Sequence, residues 1–360
     1  MVWCQSLSVP KVPAQTGIST APRIDSTCHS TPMQPNLEKK SSRRDLQQLL
    51  AILCSGLIAL LILTPRDYSL TVYFSTHPSN CFANFMNRSL FNGAVLPGAG
   101  DFVYPLLLIA FLLYIPSCLW KFNGTGSKFH TLLAAYRPLF GFTLTSAFSC
   151  ALLFTHTVKQ IVGRARPDSV FQKQMAFSEW YQDGAHFFTG GAYTGSFPSG
   201  HTATASISII FAYVLLAGLG KGGRHWLGRA GLICALAFTA LMGIARMMSA
   251  SHWLTDVVFT LFSQWALIHL VFFRLLKVPE QQEYFQQHHR PETRPLFFEL
   301  RLCLLLLPLC PGLWAFFTGL RSLHFVGWSW LAALTPAGLV WSLFFLGQLR
   351  KALSFNIAES

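Results

Sequence analysis

The sequence predicts an all-α, polytopic membrane protein built as a bundle of transmembrane helices. Hydrophobic residues make up 52% of the 360 residues and charged residues only 11%, whereas a soluble globular chain carries about 25% charge. Apolar runs of about 18–23 residues recur along the chain, the length that an α-helix needs to cross a hydrocarbon core. The runs do not alternate with a period of two and are too long for barrel strands, which argues against a β-barrel.

The first segment, residues 1–45, is predicted to be a polar, basic tail. It is rich in Pro, Ser and Thr and ends in the basic residues Lys39, Lys40, Arg43 and Arg44. Such a segment buries too little apolar surface for a packed core. It also lacks the short apolar stretch of a secretory signal peptide, while an organellar transit peptide stays open. A scaffold role beside anionic lipid is one hypothesis for this tail.

Eight candidate transmembrane helices follow. The weakest are the fourth, rich in Ser and Thr, and the seventh, interrupted by Pro308 and Pro311. The predicted spans are 46–64, 102–120, 139–158, 202–219, 227–245, 253–275, 302–320 and 326–346. The expected organisation is a six-span core (46–275), a solvated linker (276–301), two additional helices (302–349) and a C-terminal tail (350–360).

The distribution of positive charge predicts the orientation. Most of the 27 Lys and Arg residues fall in the two tails and in the loops on one side of the predicted bundle. By the positive-inside tendency, both termini are expected to be cytoplasmic. The net charge of +13 then reflects topology and anionic lipid, and no nucleic-acid partner is expected. The other side carries few charges, yet the loop 159–201 there contains Lys159, Arg164, Arg166 and Lys173.

Three polar segments fall on this non-cytoplasmic face. They are Lys159–Pro167 after the third span, Ser196–His201 before the fourth, and Arg246–Asp256 between the fifth and sixth. Guanidinium forks and a lysine suit a tetrahedral oxyanion. Ser199 and Gly200 open a helix, where backbone N–H groups and the helix dipole favour an anion. The segments together predict a phosphate site.

A histidine pair can supply chemistry at such a site without a metal. His252 and Asp256 are four residues apart and share one face of a helix. An Asp that accepts from one imidazole nitrogen leaves the other nitrogen basic, as a nucleophilic histidine requires. His201, across the site, can protonate a leaving oxygen.

These segments resemble the signature of the type 2 phosphatidic acid phosphatase superfamily. Lys159, six residues and Arg166-Pro167 match the first motif, and Pro198–His201 matches the second. Arg246, five residues, His252, three residues and Asp256 match the third. The third motif usually opens with Ser-Arg, whereas Ala245 precedes the arginine here, which removes one hydroxyl near the phosphate. The resemblance covers roughly residues 100–275.

The resemblance implies a six-helix catalytic core that hydrolyses phosphoesters through a phosphohistidine, with no metal and no other cofactor. It makes His252 the nucleophile, Asp256 its orienting partner and His201 the general acid. The residues expected to hold the phosphoryl oxygens are Lys159, Arg166, Ser199, Gly200 and Arg246, with Arg164 added from its position and charge. Haloperoxidases share these motifs around vanadate but are soluble, so eight spans argue against that activity. The nine cysteines form neither a zinc pattern nor a disulfide framework.

A site at helix ends suits a lipid whose phosphate lies at the membrane interface. Phosphatidate, phosphatidylglycerol phosphate, lipid A phosphates and isoprenyl pyrophosphate all fit. The resemblance favours bacterial envelope lipids, and hence a bacterial inner membrane with a periplasmic active site, as in lipid A and undecaprenyl pyrophosphate phosphatases. Phosphoryl transfer to a second lipid would use the same residues. The aromatic-rich stretch 168–197 either walls the lipid entry or is an interfacial loop without substrate contact.

A lipid transporter that uses the basic cluster as its binding site is the competing hypothesis. His269, an ionisable group within the sixth span, supports it, unless this side chain makes an ordinary interhelical hydrogen bond. The absence of a two-fold repeat of spans counts against it. The last helix pair is expected either to pack against the core or to form a dimer contact, and the oligomeric state is left open.

Overall fold

The computed structural model describes residues 35–89, 103–119, 128–182, 195–218, 225–288, 291, 294–323 and 329–358. The chain divides into two compact units, residues 1–43 and 44–360. Most of the predicted tail lies outside the described residues, although a helix already begins at Pro35. Every regular element in the described ranges is helical, which confirms the all-α prediction.

The helices are numbered in chain order. Those of the first half are α1 (Pro35–Leu63), α2 (Asp67–Thr76), α3 (Asn80–Asn84), α4 (Val103–Leu119), α5 (Lys128–Ser146), α6 (Thr155–Val162) and α7 (Pro167–Lys173). Those of the second half are α8 (Gly200–Ala205), α9 (Ile207–Gly218), α10 (His225–Met248), α11 (Leu254–Leu270), α12 (Val278–His288), α13 (Phe298–Ser322) and α14 (Leu334–Ala358). Short 3-10 or π-helical segments adjoin several of them: Thr64–Arg66, Phe85–Ser89, Ala147–Phe154, Val271–Leu275 and Ser329–Ala333.

Seven helical stretches in the described part of the chain are long and apolar enough to cross a membrane, so the protein is a multi-pass membrane protein. They overlap seven of the eight predicted spans, including both weaker ones, and differ from three of them by one to three residues at one end. The remaining span, predicted at 102–120, is α4. Its 17 residues extend about 25 Å at the helical rise per residue, which is short of a hydrocarbon core of about 30 Å.

One end of the bundle is closed by an apolar cluster. Phe142, Tyr213, Phe272, Leu276 and Phe298 are buried together in it. Phe272 and Leu276 follow the end of α11, Phe298 begins α13, and the other two lie within α5 and α9. The end of α10 and the start of α11 therefore lie at the opposite end, and the three polar segments meet there.

A π-helical segment shapes the helix that carries Lys159. The residues Ala147–Phe154 between α5 and α6 follow the wider π spacing. The Cys150 carbonyl accepts a hydrogen bond from Gln264 Nε2 of α11 at 2.9 Å, and the same amide donates to Thr155 Oγ1 at 3.1 Å. Gln264 thus satisfies a carbonyl in the π segment and holds α6 against α11.

A glycine lets α10 approach α11 closely. A Cβ at Gly243 would overlap the Val257 side chain, so only a residue without a side chain fits at this crossing. Gly243 lies one turn before Arg246, and Val257 directly follows Asp256. The close crossing brings the ends of the third polar segment together.

The last helix pair packs on the rest of the unit. Tyr114 of α4 donates to Glu299 Oε2 at the start of α13 over 2.7 Å, and Glu299 is buried. Near the end of α13, Arg321 Nη1 donates to the Val162 carbonyl of α6 at 3.2 Å. The α13 helix therefore packs against the core, and the expected alternative of a dimer contact stays a prediction. Part of the predicted linker is helical, because α12 begins at Val278.

Candidate active site

The three polar segments are joined at one end of the bundle by hydrogen bonds to main-chain carbonyls of the first segment. Gly163, at φ 57°, ends α6 in the left-handed conformation, which glycine adopts readily. Beyond this turn the Arg164 carbonyl accepts from Ser196 N at 2.8 Å. The Ala165 carbonyl accepts from Trp253 Nε1 at 2.7 Å. The first segment thus contacts both of the others through backbone atoms.

His252 is buried at this junction and has a defined orientation. Its Nδ1 lies 2.7 Å from the Ser196 carbonyl oxygen. A carbonyl only accepts, so Nδ1 carries the proton and Nε2 has the lone pair. The carboxylate of Asp256 lies farther from Nδ1, at 3.6 Å. The expectation that Asp256 is the direct hydrogen-bond partner of His252 is therefore corrected: the Ser196 carbonyl orients the ring, and the carboxylate supplies a nearby negative charge.

Asp256 is held by other donors. Its Oδ2 accepts from Trp253 N at 2.9 Å and so satisfies one of the free N–H groups at the start of α11. Its Oδ1 accepts from Arg164 Nη1 at 2.7 Å. Because both oxygens are engaged in this way, the carboxylate fixes the start of the helix next to His252.

The Arg164 side chain is occupied by protein groups, which contradicts the expectation that it holds phosphate. Its side chain is fully buried between two carboxylates, Asp67 and Asp256, each at 2.7 Å. Its Nε donates to the Ser178 carbonyl at 2.7 Å. The guanidinium carbon lies 5.4 Å from the ring centroids of both Phe177 and Trp253, a cation–π arrangement. The guanidinium is thus committed to internal partners, and the expectation was wrong because the sequence does not show which way this side chain points.

Lys159, Arg166 and Arg246 provide positive charge around His252. A Cβ built on Gly200 would lie 4.0 Å from Lys159 Nζ, so the buried ammonium group lies beside the start of α8. Arg246 Nη1 donates to Asn87 Oδ1 at 3.2 Å. All three cations act on the imidazole of His252. The basic residues predicted to hold phosphate, apart from Arg164, are therefore close to the predicted nucleophile.

The environment of His252 keeps its imidazole neutral. Burial, and after it the positive charges of Lys159, Arg246 and Arg166, lower the pKa of His252 well below its usual value. The hydrogen bond to Ser196 opposes this effect but does not outweigh it. At pH 7 the ring is unprotonated at Nε2, the form that can attack an electrophile.

Ser199 forms the cap of α8. Its Oγ accepts from the Thr202 hydroxyl at 2.8 Å and from Thr202 N at 3.4 Å. Its own N–H donates to Thr260 Oγ1 at 2.9 Å, so this amide is directed into the protein. A hydroxyl that accepts in this way keeps its proton for donation. His201 follows at the second position of α8, and the charges of Arg246 and His252 both act on its ring.

Two residues of this region were missed by the sequence analysis. Asp67 accepts from Thr255 N at 2.9 Å and from Thr255 Oγ1 at 2.6 Å. Asn87 accepts from Arg246 and donates to the Ala245 carbonyl at 3.3 Å. Both lie between the first and second predicted spans, on the face of the polar segments. An acid and an amide on that face were the available signals, but no spacing along the chain connects them to the three polar segments.

The aromatic stretch after the first motif is partly described. Phe171 and Phe177 pack edge-on against Trp253, with ring centroids 5.7 and 4.7 Å away. Trp180 Nε1 donates to Thr64 Oγ1 at 2.9 Å. This half of the stretch therefore covers Trp253 and the end of α1. The aromatic and glycine positions 187–188, 190–191 and 193 lie outside the described residues, and the predicted lipid entry there stays a prediction.

His269 makes the ordinary interhelical hydrogen bonds that the sequence analysis left open. Its Nδ1 lies 2.8 Å from Tyr213 Oη and its Nε2 lies 3.1 Å from the Asp45 carbonyl. It lies with the apolar cluster at the far end of the bundle. This environment gives no support to a transport role for His269.

Within the described residues, no group of three or more His, Cys, Asp or Glu side chains is arranged to hold a metal ion.

Residues 138–278 match the family model of the PAP2 superfamily, whereas the sequence resemblance was expected to begin earlier, near residue 100. No solved structure matches the chain. The matched range extends from the middle of α5 to the first residue of α12 and contains all three polar segments. The chain therefore carries a PAP2 superfamily domain, formed by residues 138–278.

Proposed function

We propose that this protein is an integral-membrane phosphatase that hydrolyses a lipid phosphomonoester or pyrophosphate through a phosphohistidine at His252. Members of the PAP2 superfamily are phosphatases, which supports phosphoric ester hydrolysis. One observation carries the rest of the proposal. His252 is buried and neutral, its Nδ1–H donates to the Ser196 carbonyl, and three cations surround the ring. A phosphoryl group bound by those cations would meet the Nε2 lone pair.

In the first step, Nε2 of His252 attacks phosphorus and the P–N bond forms as the bond from phosphorus to the leaving oxygen breaks. His201 donates a proton to that oxygen, so the lipid leaves as an alcohol, or as a lipid monophosphate when the substrate is a pyrophosphate. The bound phosphoryl anion favours the protonated form of His201 before the transfer. The negative charge of the phosphoryl oxygens is neutralised by Lys159, Arg166 and Arg246. The Ser199 hydroxyl and the Gly200 amide donate hydrogen bonds to the same oxygens.

In the second step, a water molecule attacks the phosphorus of the phosphohistidine. His201, now unprotonated, takes a proton from the water, the P–N bond breaks, and inorganic phosphate leaves. His252 returns to its starting form because Nδ1 keeps its proton throughout and donates it in a hydrogen bond to the Ser196 carbonyl. If a second lipid replaced water, the same residues would transfer the phosphoryl group to that lipid.

A lipid substrate follows from where the site lies. The polar segments occupy the ends of apolar helices long enough to cross a membrane, so a phosphate bound there lies at the level of the lipid headgroups. We propose that eight helices cross the membrane in alternating directions, with α4 counted as one of them, so that both termini would lie on the side opposite the site. By the charge distribution we propose cytoplasmic termini and an active site on the outer face, periplasmic in a bacterial inner membrane.

Phosphate release from purified protein in detergent tests this function. The substrates are phosphatidate, phosphatidylglycerol phosphate and isoprenyl pyrophosphate, each assayed with and without a chelator. We expect at least one of them to release phosphate, and His252→Ala to abolish the release while the protein stays folded. His288→Ala is the matched control, because His288 is an exposed histidine on α12, away from the site. Full activity of His252→Ala, or transport activity without phosphate release, would overturn the proposal.

A further inference from the structure

Asp67 is a buried acid that lies outside the PAP2 domain yet bonds directly to the catalytic segments. It is the first residue of α2 and is completely buried. One oxygen accepts from Thr255 N at 2.9 Å. The other accepts from Thr255 Oγ1 at 2.6 Å and from Arg164 Nη2 at 2.7 Å. Asp67 therefore joins α2 to the start of α11, three residues after His252.

Arg164 is shared between Asp67 and Asp256. Its Nη2 binds the first carboxylate and its Nη1 binds the second, each at 2.7 Å. Two carboxylates facing one guanidinium leave this buried cluster with one net negative charge when both are ionised. Without Asp67, Arg164 would pair with Asp256 alone and cancel its charge. Asp67 thus determines whether a negative charge remains beside His252.

A negative charge near His252 would stabilise the phosphorylated intermediate of the proposed reaction. The phosphorylated imidazole keeps its proton on Nδ1, so its ring carries a positive charge. Nδ1 lies 3.6 Å from Asp256 Oδ2, and the surrounding Lys159, Arg166 and Arg246 all disfavour a cationic ring. A net negative charge on the Nδ1 side of the ring offsets their effect as the P–N bond forms.

We propose that Asp67 is a positioning residue for the phosphatase reaction: as a second carboxylate on Arg164, it keeps a net negative charge next to the phosphorylated form of His252. The inference rests on the proposed function. It assigns a role in the reaction to the first membrane helix region, which the PAP2 match at 138–278 does not reach.

The substitution Asp67→Asn tests the charge with little change in shape, because the amide oxygen can still accept from Thr255 N. We expect kcat to fall about 10-fold to 100-fold, by analogy with the loss seen when the outer hydrogen-bond partner of a metal-binding side chain is removed. Inhibition by inorganic phosphate is expected to stay the same or become stronger, because the site has lost a negative charge. A purely structural role would weaken phosphate inhibition together with kcat and lower the melting temperature.

Thr71→Val provides the matched control. Thr71 is buried on α2 and its Oγ1 accepts from Leu254 N at 3.2 Å, so it joins the same two helices without a charge. We expect this variant to keep kcat within about 2-fold of the wild type, because it removes one neutral hydrogen bond between the helices and no charge. Equal losses in Thr71→Val and Asp67→Asn would overturn the charge role and leave only helix packing.

The assays of His252→Ala and Asp67→Asn, measured side by side, distinguish the two proposals. If His252→Ala is inactive and Asp67→Asn has a low kcat with unweakened phosphate inhibition, both are supported. If His252→Ala is inactive and Asp67→Asn is fully active, the role of Asp67 is overturned and the phosphatase mechanism stands. If His252→Ala keeps full activity, the phosphohistidine mechanism falls and the role of Asp67 falls with it.

Discussion

The replacement of Arg164 by Met separates a structural role for this residue from a phosphate-binding role. Methionine is unbranched and fills part of the space between Phe177 and Trp253, but it cannot pair with Asp67 and Asp256. The change leaves two carboxylates buried without their cation. Breaking one buried ion pair in this way costs about 3–5 kcal/mol, which corresponds to a drop in melting temperature on the order of 10 °C.

Thermal unfolding in detergent, followed by tryptophan fluorescence, measures this loss. Arg229→Met is the control, because Arg229 is an exposed arginine near the start of α10, and its melting temperature is expected to stay unchanged. The double variant Arg164→Met/Asp67→Asn is expected to recover part of the lost stability, since it removes one of the two unpaired charges. An Arg164→Met protein with wild-type stability and a raised KM would refute the structural assignment and restore the phosphate-binding one.

Two further predictions concern the pH dependence and the phosphate contacts. The pKa of His252 lies well below its usual value of about 6.5. The phosphorylation rate, corrected for the ionisation of the substrate, should therefore not fall between pH 8 and pH 6.5. A fall centred near pH 6.5 in the corrected profile would contradict a neutral His252. The same pKa shift affects stability. Below about pH 6.5 the imidazole of His252 binds a proton in the unfolded chain but not in the folded protein, so the free energy of unfolding decreases as the pH falls below that value. Asn87→Ala removes the acceptor of Arg246, and the inhibition constant for inorganic phosphate should rise about 5-fold to 30-fold, equivalent to about 1–2 kcal/mol. An unchanged inhibition constant in Asn87→Ala would mean that Asn87 does not position Arg246 for phosphate.

The parts of the site that depend on local spacing could be predicted from the sequence. His252 and Asp256 share a helix, and Ser199 precedes the start of α8, so their proximity follows from helix geometry and from where the apolar runs end. The membrane spans were predictable for the same reason, because length and hydropathy are local properties. The exception is α4, where the apolar run extends beyond the 17 residues that are described as helix.

The parts that depend on distant contacts could not be predicted. Asp67 lies 97 residues from Arg164 and 188 from Thr255 along the chain, and no spacing rule joins positions so far apart. Arg164 stands in the midst of the first motif, yet the left-handed turn at Gly163 changes the course of the chain just before it. The Ser196 carbonyl is a backbone atom, and its bond to His252 has no signal in residue type.

The attachment site of phosphate on the protein tests the proposed mechanism most directly. Wild-type enzyme mixed with a reactive lipid phosphate and denatured within one turnover in base, where N-phosphohistidine persists, would be digested and its phosphorylated peptide sequenced by mass spectrometry. The buried, neutral imidazole oriented by Ser196 predicts phosphate on His252, linked through Nε2 and lost on brief exposure to acid. Phosphate on His201, or rapid turnover with no phosphorylated histidine at any time point, would contradict it.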